Sequence, residues 1–160
     1  MHDIKEEALV ELYSRIKFYR TEFALKTCKR NPDRPVNDYA YPALFIIEGK
    51  DSIIEHSSRS GLGYPAKRSC NVLIELVVDS TVTNIKSLFY NVRKAVFTKQ
   101  IADPSSPTRL TPILAFDPES GVDASIREVD FDGPFSLQIP NVLGMSVNFE
   151  LIYIDNGLGG

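Results

Sequence analysis

The feature that most constrains the fold is an amphipathic helix that directly follows a nearly continuous apolar strand. Residues 83–96 place apolar side chains at three- and four-residue steps, the pattern of a helix that packs one narrow stripe against a sheet. Thr83 is the predicted N-cap, and the stripe consists of Ile85, Leu88, Phe89, Val92, Ala95 and Val96. The preceding segment, 69–79, predicts a strand that is covered on both faces or lies centrally in a sheet.

A second amphipathic helix is predicted at the N-terminus, from about residue 3 to residue 20. Asp3 and Glu6 have the spacing of a capping box. Its apolar stripe is formed by Ile4, Ala8, Leu9, Leu12, Ile16 and Tyr19. The opposite, polar side is expected to hold most of the charged residues, namely Glu7, Glu11, Arg15 and Lys17.

Further strands are predicted where the sequence is apolar or alternates, at 43–49, 52–58, 125–131 and 146–154. Gly49-Lys50-Asp51 is the predicted turn between the first two of these strands. Bends between the last two are predicted at 132–135 and 141–144. In the final strand, Val147, Phe149, Leu151 and Tyr153 are expected to share one face.

The remaining segments are predicted to be loops. Residues 21–40 contain two X-Pro pairs and should end as a loop, and residues 58–66 should form a flexible connection. Residues 100–124 carry four prolines and little periodicity, and a loop of that length is usually functional or mobile.

This order of elements predicts an α+β fold with two helices packed on a mostly antiparallel, or mixed, β-sheet. We expect a single domain over residues 1–154, with the long loop at 100–124. Residues 155–160 are expected to form a flexible C-terminal tail.

Composition excludes several classes of protein. The chain is 43% hydrophobic and 24% charged, as in ordinary soluble globular proteins. No apolar run approaches the roughly 20 residues of a membrane-spanning helix, and the N-terminus lacks the apolar region of a secretory signal. Cys28 and Cys70 form no CxxC pair, which argues against a disulfide scaffold or zinc cluster and favours a reducing compartment.

No residue pattern predicts a catalytic or metal site. His2 and His56 are distant from each other, so they supply no metal-ligand spacing. Cys28 has basic neighbours that would lower a thiol pKa, but no histidine is predicted near it. Gly61-Leu62-Gly63 lacks the rest of a phosphate-binding loop and is interpreted as a turn. We therefore expect no enzyme activity, no cofactor and no metal.

Charge is distributed unevenly along the chain. Residues 1–100 hold 16 basic against 12 acidic residues, whereas residues 101–160 hold two against nine. A chain with this polarity can complement a copy of itself head to tail, and such contacts generate rings when the rotation closes.

Four features point to one family. An amphipathic N-terminal helix is followed by a strand that begins Tyr41-Pro42-Ala43-Leu44-Phe45 and ends Glu48-Gly49-Lys50-Asp51. A loop with Gly and Pro then leads to the strand 72–78, VLIELVV, and directly to the second helix. The chain closes on a strand that ends Leu151-Ile152-Tyr153. Over residues 4–154 this pattern resembles the tail terminator, or tail completion, proteins of long-tailed bacteriophages.

The resemblance implies a non-enzymatic structural protein of the virion. Its subunits would form a ring, expected to be a hexamer, that caps the tail tube, ends its polymerisation and joins the tail to the neck. The implied partners are copies of the chain itself, the tail tube protein, a neck or connector protein, and DNA that passes through the channel without specific binding. No membrane is involved, and the protein would be made in the host cytoplasm and reside at the tail–neck junction.

Two charged groups are the candidate functional residues. Lys86, Arg93 and Lys94 form the basic face of the second helix and are candidates for the subunit contact. The candidates for the lumen or the tube-facing rim are acidic, since like charge keeps a passing polyanion from sticking; they are Asp117, Glu119, Asp123, Glu128, Asp130 and Asp132.

Three alternatives stay open. A head–tail connector or neck completion protein is the nearest, and the sequence separates it poorly from a terminator. A small α+β enzyme or ligand-binding domain would need a pocket lined by His56 or by the carboxylates. A nucleic-acid-associated module would show salt-dependent binding.

Overall fold

A computed structural model describes residues 4–56, 66–100, 105, 108–114 and 124–155. Two helices, α1 (Ile4–Phe18) and α2 (Ile85–Val96), pack on one face of a five-stranded sheet. The strands of this sheet are β1 (Thr27–Arg30), β2 (Ala43–His56), β3 (Ala66–Val78), β6 (Ala124–Ser136) and β7 (Leu143–Asp155). A separate pair follows α2 and consists of β4 (Thr98–Gln100) and β5 (Thr108–Leu110). The predicted α+β class is confirmed.

The sheet is mixed, with the strand order β1-β2-β3-β7-β6. The antiparallel hairpin predicted for the last two strands is confirmed as β6 with β7. The predicted strands 43–49 and 52–58 are instead parts of one strand, β2, which pairs antiparallel with β3. β1 pairs in parallel with β2 and was not among the predicted strands, because four residues are too few to show a period. β1 lies inside the segment 21–40, for which the two X-Pro pairs predict only a loop.

The main core lies between the sheet and the two helices. The predicted apolar face of β7 is confirmed, since Val147, Phe149, Leu151 and Tyr153 are all buried there. The stripe of α1 is likewise buried at Ile4, Ala8, Leu9, Leu12 and Ile16. The helix itself is shorter than predicted and ends at Phe18, while the predicted Asp3 cap lies outside the described residues. The second helix begins after Asn84, whose side chain accepts a hydrogen bond from the Ser87 amide at 3.0 Å, so the predicted cap at Thr83 is wrong.

The turn predicted at 49–51 is also wrong. β2 is a continuous strand through this region, and its pairing with β3 shifts between Glu48 and Asp51. Gly49 lies at this bulge, where an added Cβ would come within 3.1 Å of the Asn71 backbone. Residues 49–51 therefore form a β-bulge and not a turn. Glycine is suited to this position because it has no Cβ to collide with the neighbouring strand.

A second bulge replaces the bend predicted at 132–135. β6 continues to Ser136, and its register to β7 shifts between Asp132 and Phe135. Gly133 has a φ of 114°, and an added Cβ would lie 2.8 Å from the Gly144 carbonyl oxygen, so glycine is required there. The other predicted bend is confirmed at Asn141, which has a φ of 63°. β7 then begins at Leu143, three residues earlier than predicted.

Two charged residues of α1 are buried, contrary to the expectation of a solvated polar side. Arg15 donates to Glu11 at 2.9 Å and to the backbone carbonyls of Val96, Thr111 and Ile113 at 2.7, 2.9 and 2.6 Å. The Arg15 side chain is 2% exposed. This arginine therefore fastens α1 to the end of α2 and to the segment that follows β5.

Among the described residues, the opposite face of the sheet is covered at one end only. Tyr39, Ala43, Phe45, Val77 and Val142 form a smaller apolar cluster there, beside a 3₁₀ turn at Val36–Asp38. Farther along the same face the strands carry polar side chains, including Glu75, Ser146 and Asn148. Neither described helix has the length and hydropathy needed to cross a membrane.

Candidate functional site at the open sheet edge

β6 forms one edge of the sheet and pairs with β7 alone along most of its length. On its outer side, Leu114 donates to the Ala124 carbonyl and Ile126 donates to the Pro112 carbonyl, both at 3.0 Å. Among the described residues, no strand lies beside β6 beyond Ile126. Residues 127–136 therefore present the backbone groups of an edge strand, which are a template for contact with another chain.

Large apolar side chains are exposed beside this edge. Val129 and Phe131 on β6 are 54% and 53% exposed, and Tyr90 on α2 and Leu110 on β5 are exposed as well. Tyr90 and Leu110 line a shallow groove of about 360 Å³. Exposed aromatic and aliphatic groups next to an unpaired edge are typical of a protein-binding surface.

The ion pair between Arg93 and Glu128 lies at the centre of this surface. Arg93 donates through Nε and Nη2 to the two carboxylate oxygens of Glu128, and its guanidinium lies 4.4 Å from the ring centroid of Phe131. The hydrogen bond to Glu128 raises the pKa of Arg93 above its ordinary value. The pair joins α2 to β6 and holds the Phe131 ring against the guanidinium.

The pair connects two residues that the sequence assigned to different surfaces. Arg93 belonged to the candidate subunit contact, and Glu128 belonged to the candidate lumen or rim. Lys86 and Lys94, the other basic candidates, are exposed on the same helix. Lys86 precedes Arg93 by seven residues, about two helical turns, so it lies on the same face of α2, and Lys94 lines the groove beside Glu128.

The acidic candidates fall on two faces of the sheet. Glu128 pairs in register with Phe149 and lies on the helix-covered face, whereas Asp130 and Asp132 pair with Asn148 and Ser146 and lie on the opposite face. Asp130 accepts a hydrogen bond from Asn148 at 2.8 Å, and Asp132 is exposed. Asp117, Glu119 and Asp123 lie outside the described residues.

The other edge of the sheet carries basic residues that no prediction had joined into a surface. Lys26 just before β1 and Lys29 on β1 are exposed, and Arg34 is exposed in the following loop, 4.8 Å from the Tyr39 ring centroid. Arg30 is engaged within the molecule, since it donates to Glu6 and Glu48 at 2.8 and 2.6 Å. In the sequence, only the cluster of basic residues around Cys28 indicates this surface. The strand that positions these residues, β1, is too short to be recognised from its pattern.

The residues considered for chemistry are not assembled into a reactive site in the described part of the chain. Cys28 is buried, and burial raises its pKa to about 11, so its basic neighbours do not activate the thiol. Cys70 is buried too, and burial likewise raises its pKa. The described residues contain no group of three or more side chains that could hold a metal ion. His2, the His56 side chain and Gly61-Leu62-Gly63 lie outside the described residues.

Comparisons with known proteins find a likeness in structure. No protein family model matches the chain, and no curated protein matches its sequence. A chain from the virion of a native gene transfer agent particle has a similar structure, with a TM-score of 0.54 and 9% sequence identity. The superposition covers 96% of this chain and 99% of that chain. At this level of identity the likeness shows a shared fold.

Proposed function

We propose that this chain is a non-enzymatic structural protein of a phage-like virion, and specifically a tail terminator. The observation that carries the proposal is the structural likeness to a gene transfer agent virion chain over nearly the full length of both chains. A likeness of that extent leaves little of either chain outside the shared fold. It supports the same class of protein that the sequence resemblance implied independently.

In this proposal, copies of the chain form a ring, expected to be a hexamer, on the end of the tail tube. The ring ends tube polymerisation and binds the neck or connector protein on its other side. The open β6 edge supports this role because it combines an exposed strand with exposed aromatic groups, the usual make-up of a protein contact.

The acidic residues on the sheet face opposite the helices are proposed to face the lumen or the tube. Asp130 lies on the sheet face opposite the helices, together with the half-buried Glu75 and Glu150 of neighbouring strands. A channel wall of this sign repels the phosphate backbone, so DNA would pass without binding specifically. Lys86, Arg93 and Lys94 are proposed to lie at or near the contact between subunits.

The direct test is to assemble particles without this chain. A terminator sets tail length, so tails made in its absence should vary in length and extend beyond the normal value, and heads should not join them. Electron microscopy of the particles measures both, with the wild-type chain supplied in trans as the control. Tails of normal length that lack heads would instead indicate the neck completion protein, and particles of normal length and assembly would contradict a structural role.

A further inference from the structure

The register of the sheet places two unlike charges at opposite ends of one row of residues. Lys29 pairs with Phe45, Phe45 with Glu75, Glu75 with Ser146, and Ser146 with Asp132, which gives a continuous row from β1 to β6. Lys29 is therefore level with Asp132, and both lie on the sheet face opposite the helices. A second copy set beside the first without a shift along the strands would bring Asp132 next to Lys29.

Both charges are available for such a contact. Lys29 and Asp132 are exposed, and neither has an ion-pair partner among the described residues. Lys26, just before β1, adds a second exposed cation near this edge, and Asp130 adds a second exposed carboxylate on β6. On the sheet face opposite the helices, the β1 edge thus presents Lys29 and the β6 edge presents Asp130 and Asp132, which favours contact between these unlike edges.

The strand directions also fit. β1 is parallel to β2, and each later step across the sheet to β3, β7 and β6 reverses direction, so β1 and β6 are antiparallel. Bulges after Glu128 and Asp132 interrupt the regular edge of β6, and Pro134 lacks an amide donor. Side chains, more than a continuous backbone ladder, would therefore form the contact.

A second row supplies an apolar component. Phe131 is level with Arg30 through Val147, Ile74 and Ile46, on the helix-covered face. The Arg30 Nε is buried without a hydrogen-bond partner among the described residues. The Arg30 guanidinium holds Glu6 and Glu48 through its edge, so its planar face can still stack on an aromatic ring. Arg93 makes such a contact with Phe131 within the subunit while it holds Glu128.

We propose that copies of this chain associate head to tail through opposite edges of the sheet, with Asp132 of one copy against Lys29 of the next and Phe131 against Arg30. The proposal rests on the proposed function and specifies the contact that would build its ring. Such a contact is heterologous, so it closes into a ring when the rotation between copies permits. Asp132 is thereby assigned to the subunit contact, while Asp130 keeps its proposed position towards the lumen or tube.

A reciprocal charge swap tests the contact. The masses of the purified full-length wild type, Lys29→Asp, Asp132→Lys and the double variant are measured by light scattering over a range of protein concentrations. We expect the wild-type mass to rise with concentration towards a multiple of the chain mass, and each single reversal to weaken association about tenfold or more. The double variant restores the opposite charges and should restore association. High salt should weaken the wild-type assembly, since the charges are exposed.

Lys50→Asp is the matched control, because it reverses an exposed lysine at the bulge of β2, outside the row that joins Lys29 to Asp132. It should leave association within a factor of a few of the wild type. The contact is contradicted if Lys50→Asp weakens association as much as Lys29→Asp does, if both single reversals leave the assembly intact, or if the double variant fails to recover. A wild type that stays monomeric at all concentrations would also overturn the contact. The terminator role is judged separately, by the length of tails assembled without the chain.

Discussion

Two arginines hold two parts of this molecule together, and their surroundings differ. Arg15 lies in the interior, where Glu11 and three backbone carbonyls surround a guanidinium that is 2% exposed. Arg93 lies at the open edge, where Glu128 and the face of Phe131 engage a side chain that is 24% exposed. In the first region every nitrogen of the guanidinium has an acceptor within the same chain. The second region keeps part of its ion pair and about half of the Phe131 side chain in contact with solvent.

The difference separates residues that maintain the fold from residues that are available to a partner. A buried guanidinium cannot be removed without leaving its acceptors unsatisfied, whereas an exposed ion pair is replaced by water at little cost. We therefore expect substitutions in the interior region to change stability, and substitutions at the edge to change association.

The largest effect is expected for Arg15→Met. The variant leaves the Glu11 carboxylate buried without its cation and leaves three carbonyls without a donor, which should lower the free energy of unfolding by about 3–5 kcal/mol. Chemical denaturation measures the change. Lys17→Met is the control, because it replaces an exposed cation on the same helix and should stay within about 0.5 kcal/mol of the wild type. An Arg15 variant as stable as this control would remove the distinction between the two regions.

A smaller effect is expected for Arg93→Met. The pair with Glu128 is partly solvated, so its loss should lower the free energy of unfolding by about 1 kcal/mol or less. Lys94→Met, one residue along, is the matched control for the loss of an exposed cation. Association measured by light scattering should weaken more in Arg93→Met than in Lys94→Met, because the Arg93 guanidinium orients Phe131. If Arg93→Met lowered the free energy of unfolding as much as Arg15→Met does, the Arg93–Glu128 pair would be needed for the fold and would not be a surface feature available to a partner.

Local periodicity explains which elements could be predicted from the sequence. The stripes of α1 and α2 and the alternation of β7 are visible because burial repeats along each element at its own period. The burial of Arg15 carries no such signal, since two of its carbonyl acceptors, at Thr111 and Ile113, lie nearly 100 residues away. The residue looked like part of a solvated face because only tertiary contacts reveal its partners.

The arrangement of the candidate site depended on the register of β6. Strict alternation over 125–131 would place Glu128 and Asp130 on the same face. The bulge between them moves Asp130 to the opposite face and turns Phe131 towards Arg93. Residue types alone do not reveal such a bulge. For this reason the sequence identified the charged groups but not which of them lie together.

The smallest effects concern pH, and the two regions should respond with opposite sign. Burial raises the pKa of Glu11 above its ordinary value of 4.5 despite the Arg15 hydrogen bond, so the folded chain holds this proton more tightly than the unfolded chain does. Its contribution to stability is therefore fully present below pH 4.5 and is lost as the pH rises through the raised pKa. Glu150, on the strand beside β6, accepts hydrogen bonds from Arg127 that lower its pKa. Its contribution is present above pH 4.5 and is lost as the pH falls through the lowered pKa.

Glu11→Gln and Glu150→Gln separate these contributions when the free energy of unfolding is measured for each variant and the wild type from acid to neutral pH. Relative to Glu11→Gln, the wild type should lose stability as the pH rises from 4.5, because glutamine carries no charge to desolvate. Relative to Glu150→Gln, it should lose stability as the pH falls below 4.5. If the stability differences for the two variants change with pH in the same direction, burial does not raise the pKa of Glu11, and the interior carboxylate behaves like the one beside the edge.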